Sequence, residues 1–447
     1  MRREHAVVIG ASMAGLLAAR VLSEHFTRVT VIERDPLPDA ESFRAGVPQS
    51  RHTHGLLARG ARILNTLFPD FEHDLDERNI PHTEWLQDTI QLLPSGWTPR
   101  FRSGLFSRPI SRIALEALIR RRVRAIANID FCEGMQVTGV IAEARRVIGV
   151  RLEPRRRGAN LPADSLPADL VVDASGRSSK APEWLAALGG VSPPETTINS
   201  HLGYATRMFR LPPAALPDWK AVFMLTSRRV PKGGVFTLVE DGLWMLTLAG
   251  IGDARPPTDE AGLARFIADL PLPPLHQVLR SAEPVSPIYG YQRTANQMRH
   301  YERVTMPPGL IVIGDAVSAF NPIYGQGMSV AAMGALTLDR ALRSRFDETR
   351  FQKRLARSNS AAWLMATSED VRYPVTEISG NGLSPLIPFA NLYLDVLFAA
   401  APRSRTVTKA LLETMHLLRM PASLAAPDVL LDLVRAPFRS PAAAPLS

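Results

Sequence analysis

An α/β fold is predicted for this chain: a nucleotide-binding parallel sheet, an interleaved β-sheet domain and a helical C-terminal region. Three observations predict it. The first residues read as strand, glycine turn, helix and strand. Apolar runs with a two-residue period fill the stretch between Gly176 and Pro287, and amphipathic helical patterns follow Leu338.

A chain of 447 residues, 46% of them apolar, exceeds one ordinary core and implies two intimately joined domains with a helical appendage. No apolar run reaches the roughly 18 residues that mark a membrane span. The best candidate, Phe389 to Ala400, is interrupted by Asn391 and Asp395, which leaves only a peripheral membrane contact open. The opening MRREHAVVIGA passes from basic residues straight into a strand, without a cleavable apolar region, which favours the cytoplasm. Cys132 is the only cysteine, so an intrachain disulfide, a cysteine-rich metal site and a CxxC pair are all excluded. Redox chemistry would have to come from a cofactor. The net charge of +9 is spread over helices and turns, and its short clusters at Arg120 to Arg122 and Arg155 to Arg157 lack interleaved aromatics, which argues against nucleic acid.

At the N-terminus, Ala6 to Ile9 is followed by GASMAG (Gly10 to Gly15), LLAARVL and VTVIERD (Val29 to Asp35). This is a Rossmann-type βαβ unit in which Ser12 replaces the middle glycine of GxGxxG. Gly10 permits the turn, Gly15 permits close helix packing, and Ser12 is small enough to let the backbone approach a pyrophosphate and could donate from its hydroxyl. Ala14 lies at the helix start, where exposed N–H groups receive phosphate charge. Glu33 ends the second strand where a carboxylate accepts the hydroxyls of an adenosine ribose, with Arg34 beside it. An acid there repels the extra phosphate of NADP, so the site wants FAD or NAD.

Two later segments choose FAD. LPADLVVDASGRSS places an apolar strand before Asp173, Ala174 and Gly176, and GLIVIGDAVSAFNPIYGQGMS places another before Gly314 and Asp315, followed by Pro322, Gly325, Gly327 and Met328. An extended FAD needs such contacts: Asp315 for a ribityl hydroxyl, and N–H groups near Gly327 and Met328 for the pyrimidine end of the flavin. Val137 is a further candidate cofactor contact.

These three segments, in this order, resemble the FAD fingerprints of the FAD-dependent monooxygenases of the aromatic-hydroxylase and squalene-epoxidase superfamily, over residues 1 to 345. The resemblance implies that Arg112, in SRIALEALIRR, lies near the FAD pyrophosphate; on its own residues Arg112 reads equally as a solvated helix position. GVPQSRHTHGLLARGARILNTLFPD (Gly46 to Asp70) and TSEDVRYPVTE (Thr367 to Glu377) look like the corresponding parts of bacterial natural-product epoxidases. The implied function is epoxidation of an alkene in a hydrophobic natural-product substrate by a flavin C4a-hydroperoxide. Aromatic or other hydroxylation is the first alternative and flavin-dependent alkene reduction the second. Halogenation is disfavoured because WxWxIP is absent. Molecular oxygen is the co-substrate. NADPH or NADH is the reductant, directly or through a separate flavin reductase, because no second nucleotide fingerprint occurs. Ala319 and Phe320 stand where relatives often carry a histidine, which weakens analogy with any particular aromatic hydroxylase.

No catalytic side chain is assigned. In the RHTH loop, Arg51 and His52 are candidate flavin-side contacts, with a structural histidine as the competing reading; a metal site is not expected, since no nearby carboxylate or cysteine completes it. His201, Tyr204, Tyr289, Tyr291 and Tyr324 are polar candidates only, and Asn321, Pro322 and Ile323 are expected beside the isoalloxazine. Phe209, Phe223, Phe236 and Trp244 are expected in the core rather than in the pocket. The FAD-binding domain is expected over 1–75, 106–180 and 286–345, a substrate-side insertion over 76–105, the sheet domain over 181–285, and the helical region over 346–447. The last region could also pack against another subunit of a homo-oligomer.

Overall fold

The computed structural model describes residues 3–44, 46–155, 164–380, 385 and 387–444. Met1, Arg2 and two members of the second arginine cluster, Arg156 and Arg157, lie outside the described residues.

Ala6, Val7 and Val8 are wholly buried, as a strand covered on both faces requires. Their strand, Arg3–Ile9, pairs in parallel with Phe26–Glu33 on one side and Leu170–Asp173 on the other. Leu310–Val312 and Ile129–Glu133 complete an all-parallel sheet of five strands. All three sequence fingerprints therefore leave neighbouring strands at the same edge, the carboxyl edge, where open α/β sheets bind ligands.

The two-residue periodicity corresponds to a second, larger sheet. Leu202–Arg210 pairs with Leu243–Ile251, which pairs with Lys232–Leu238 and then Ala221–Met224, all antiparallel. Thr89–Leu93 adds to Ala221–Met224 in parallel, so the segment before residue 105 contributes to this sheet. Phe209, Phe236 and Trp244 face its core; the Phe236 and Trp244 rings stack at 4.9 Å, and Trp219 meets Trp244 edge-on at 5.6 Å. Phe223 is only half-buried and stacks on Trp85 at 5.1 Å.

A small third sheet joins distant parts of the chain: Ser318–Ala319, Asn296–Arg299, Glu195–Asn199 and Glu377–Ser379. The long helix Glu348–Asp370 starts at Asp347, whose carboxylate accepts from Arg350 N at 2.6 Å, and ends buried at Asp370. Beyond it come the helices Ile387–Ala400, Arg405–Met415 and Pro427–Arg435. The last of these buries Asp432, which accepts from Ser404 Oγ at 2.6 Å, and turns Leu430, Leu431 and Val434 outward. Phe389, Leu392 and Val396 are likewise exposed along one face of Ile387–Ala400. Among the described residues no helix is long and apolar enough to cross a membrane.

His416 fastens the C-terminal helices to the nucleotide-binding half. It is buried, accepts from Ala58 N through Nδ1 at 3.1 Å, and meets Trp85 edge-on at 4.7 Å. Burial pushes its pKa down to about 3. Because the unfolded chain takes up the proton first, the stability His416 contributes is complete above the ordinary pKa of about 6.5 and is lost as pH falls below it. The stability difference between wild type and His416→Gln is expected to shrink by about 1.4 kcal/mol per pH unit on acidification below that point. Urea unfolding across pH checks this; parallel stability curves for the two proteins would contradict it.

Candidate cofactor cleft

The strand ends at Ile9, Asp173 and Val312 open into one cleft of about 460 Å³. Its floor is dictated by two glycines. Gly10 has φ +99°, and a Cβ there would stand 2.7 Å from the Ala174 carbonyl oxygen. A Cβ on Gly15 would stand 1.8 Å from the Gly10 carbonyl oxygen, so the helix Met13–Leu22 can start only against a bare backbone. Neither this helix, whose N-cap is Ser12, nor Gly327–Leu342, whose N-cap is Gln326, has a side-chain cap. Their first-turn N–H groups, which have no partner within a helix, therefore lie available at the cleft wall beside Ala14, Gly327 and Met328.

Behind the first helix start lies a buried charge cluster. Arg112 Nη2 donates to Ser12 Oγ at 2.7 Å and to Glu116 Oε2 at 2.9 Å, and Ser12 Oγ donates to Glu116 Oε2 at 3.1 Å. Arg44 bridges Glu116 and Glu33, standing 3.2 Å from Glu33 Oε2. Burial alone would raise the Glu116 carboxyl, but the Arg112 and Arg44 guanidiniums outweigh it and hold the pKa below the ordinary value. Glu33 also accepts from Ala11 N at 2.9 Å and Asp35 N at 3.1 Å.

Most of the predicted residues converge here. Gly10, Ser12, Ala14, Glu33, Arg34, Arg112, Val137, Ala174, Gly176, Asp315, Pro322, Gly325, Gly327 and Met328 all line the cleft. Gly15 and Gly314 lie behind it as packing positions, Gly314 against Ala14. Asp315 opens onto the cleft half-buried; burial raises its pKa while Arg177 and Arg112 oppose the shift. Two expectations need amendment in detail. The Ser12 hydroxyl, expected to donate to a phosphate, donates to Glu116 instead, and the Glu33 carboxylate shares its lone pairs with Arg44 and two backbone N–H groups.

Arg51 and His52 are placed outside the lining. The Arg51 guanidinium lies between the Phe43 and Tyr289 rings, 4.6 Å from each centroid. His52 is buried against the second sheet, bonded through Nδ1 to Thr206 Oγ1 at 2.8 Å, with its pKa pushed down to about 4 by burial and by Arg51. Its carbonyl meets Nδ1 of His54, which does line the cleft. Ile323 is not in the lining but packs beside Tyr204 and Tyr373.

Sequence reasoning passed over Arg44, Glu116, Arg177 and Asp370. Glu116 stands four residues after Arg112 on the helix Arg112–Arg124, a spacing that puts both on one face and was available as a signal. Arg177 lies inside the DASGRSS fingerprint; it donates to the carbonyls of Ala295 at 2.6 Å and Phe320 at 2.8 Å while lining the cleft. Asp370 accepts from Asn296 Nδ2 at 2.6 Å, Tyr324 OH at 2.7 Å and Asn321 Nδ2 at 3.1 Å. Burial pushes it up to about 6 against these hydrogen bonds.

Six cationic and two anionic side chains line the cleft, which suits an elongated anion. Open space beside Gly176 and Gly327, with two uncapped helix starts, gives such a ligand a place to lie. The fold is of the type seen in FAD-dependent monooxygenases and halogenases. Residues 8–77 match the NAD(P)-binding Rossmann-like domain family. The chain belongs to the same family as Protein Rv3254 of Mycobacterium tuberculosis, with which it is 37% identical over 392 residues, 83% of this chain and 81% of that protein. It is 27% identical to kynurenine 3-monooxygenase of Salinispora arenicola over 361 residues, 76% of this chain and 73% of that one. In fold it is similar to a triple mutant of the flavin-dependent brominase Bmp2, with a TM-score of 0.65 at 16% identity, covering 97% of this chain and 99% of that one.

Gly15→Ala tests the floor of the cleft. The added methyl cannot fit against the Gly10 carbonyl, so the variant is expected to lose about 1–3 kcal/mol of stability. Thermal unfolding reads this, and an unchanged midpoint would mean that the helix can retreat from the strand.

Proposed function

We propose that this flavoprotein is a monooxygenase that epoxidises an alkene in a hydrophobic small molecule. The convergence of the three fingerprints on a single cationic cleft carries the reading. In it, the FAD pyrophosphate lies at the start of helix Met13–Leu22, near Arg112 and Arg44, and Glu33 takes the adenosine ribose with Arg34 at the solvent side. Asp315 takes a ribityl hydroxyl, and the flavin ring lies toward Pro322, Gly325, Gly327 and Met328. When bound and reduced by NADH or NADPH, directly or through a flavin reductase, FAD activates molecular oxygen for transfer to substrate.

The chain's own part is to bind, orient and exclude water. Tyr291, Phe320 and Pro322 line the cleft at this end, and the apolar cluster of Leu202, Tyr204, Ala249 and Ile251 stands behind Tyr291 and Ile323. An alkene needs orientation but no proton acceptor. Aromatic or other hydroxylation of a small molecule is the second reading. Similarity to a kynurenine 3-monooxygenase supports the same alternative.

Two measurements check the proposal. Arg112→Ala should weaken FAD binding by roughly tenfold or more, the scale of one lost charge-assisted hydrogen bond to phosphate; equal affinity by fluorescence titration would remove Arg112 from the pyrophosphate. Rapid mixing of reduced, FAD-loaded protein with oxygen should show a transient spectrum distinct from both reduced and oxidised flavin. Direct return to oxidised flavin, with alkenes and phenols present, would put hydride transfer to an alkene in its place. Oxygen incorporation into alkenes rather than phenols decides between the two monooxygenations.

A further inference from the structure

The flavin end of the cleft is built on a loop, and a residue far along the chain holds that loop. Asn321 is fully buried; its Oδ1 accepts from Ile323 N at 3.3 Å, which closes the short turn Pro322–Tyr324. Its Nδ2 donates to both carboxylate oxygens of Asp370, at 3.2 Å and 3.1 Å. Tyr324, at the other end of the turn, donates to the same carboxylate at 2.7 Å. Asn296 donates to it at 2.6 Å through Nδ2 and, through Oδ1, accepts from Asn321 N at 2.7 Å. Beyond the turn, Gly325 leads directly into helix Gly327–Leu342, whose first residues line the cleft.

Asp370 is 1% exposed and, among the described residues, has no cationic partner. Its neighbour Glu369 lies instead against Arg372, at 3.3 Å. Burying a carboxylate without a cation is costly, and an ionised carboxylate can only accept, so every donor around it must point inward. Here those donors come from both ends of the turn, from Asn296 on the strand beside it and from Ser200. We propose that Asp370 is a positioning residue, clamping the Asn321–Tyr324 turn and through it the start of helix Gly327–Leu342 in the geometry that the flavin requires. This rests on the placement of the flavin ring made above.

Asp370→Asn preserves size but sets an amide N–H₂ among inward-pointing donors. In the FAD-free protein, amide exchange over residues 321–328 is expected to accelerate by about tenfold or more as the turn opens locally. In the FAD-loaded protein, FAD should bind about three- to tenfold more weakly, as loss of part of one binding contact implies, and its visible absorption bands should lose their resolved structure. Tyr324→Phe, which removes one donor and leaves the charge, should show the same changes at smaller size, and serves if Asp370→Asn does not fold. Glu369→Gln, at a neighbouring acid paired with Arg372 and with no hydrogen bond to the turn among the described residues, should leave exchange in this segment unchanged. Unchanged exchange in both the Asn and the Phe variants overturns the clamp. Faster exchange with a wild-type flavin spectrum and affinity overturns its connection to the flavin. A wild-type protein that never takes up FAD overturns the cofactor reading and that connection together, while faster exchange would still uphold the clamp.

Discussion

Glu116 is a buried carboxylate held by the Arg44 and Arg112 guanidiniums, with Arg120 at 4.0 Å, and the end of the cleft at helix Met13–Leu22 depends on it. Arg44 comes from the loop after the second strand, Arg112 from the start of a helix 100 residues after Ser12, and all three meet at this one side chain. Without the carboxylate, two buried cations would face each other across a low-dielectric space, a far larger penalty than the net worth of an exposed ion pair. With it, Glu33, Glu116, Arg44 and Arg112 form a cluster of zero net charge. The remaining cations of the lining, Arg34, Arg177, Lys180 and Arg293, then confront only Asp315, so the cleft presents positive charge to an incoming ligand.

The parallel sheet was legible because its signals are local. Strand, glycine turn, helix and acid fall within the first 35 residues, and each fingerprint carries its own apolar run. The sheet domain was legible through its two-residue period. What escaped was set by pairings between distant segments. Arg44 stands in a stretch without regular structure, and nothing in its neighbours announces that it will be buried between Glu33 and Glu116. Ser12 and Glu33 stand out in the sequence, but their side-chain partners do not: those of Ser12 come from helix Arg112–Arg124, and that of Glu33 is Arg44. His52 illustrates the opposite error of emphasis: the RHTH loop stands out in sequence, yet its first histidine bonds to Thr206 on the second sheet.

The C-terminal region shows why a helical pattern alone gives little about role. Glu348–Asp370 reads as one more amphipathic helix, but its last turn delivers Asp370 to the loop of the third fingerprint, 49 residues back at Asn321. The segment after it adds Glu377–Ser379 to the sheet that already holds Ser318–Ala319. Such contacts cost loop-closure entropy that grows only slowly with length, so a long connection is no obstacle once the buried hydrogen bonds form.

The two ends of the cleft thus use the same device with different partners. At each, a buried carboxylate stands behind the start of a helix whose N–H groups line the cavity: Glu116 behind Met13–Leu22, and Asp370 behind the turn that leads to Gly327–Leu342. Glu116 is surrounded by guanidiniums, which favour its charged form beyond what burial costs. Among the described residues Asp370 has neutral donors from Asn321, Tyr324, Ser200 and Asn296, which do not fully offset burial. On the proposed placement of FAD, the guanidiniums around Glu116 would stand where a pyrophosphate of constant negative charge lies. If the flavin lies at the other end as proposed, the neutral donors around Asp370 would hold the backbone in place without adding a cation beside a ring whose charge changes on reduction.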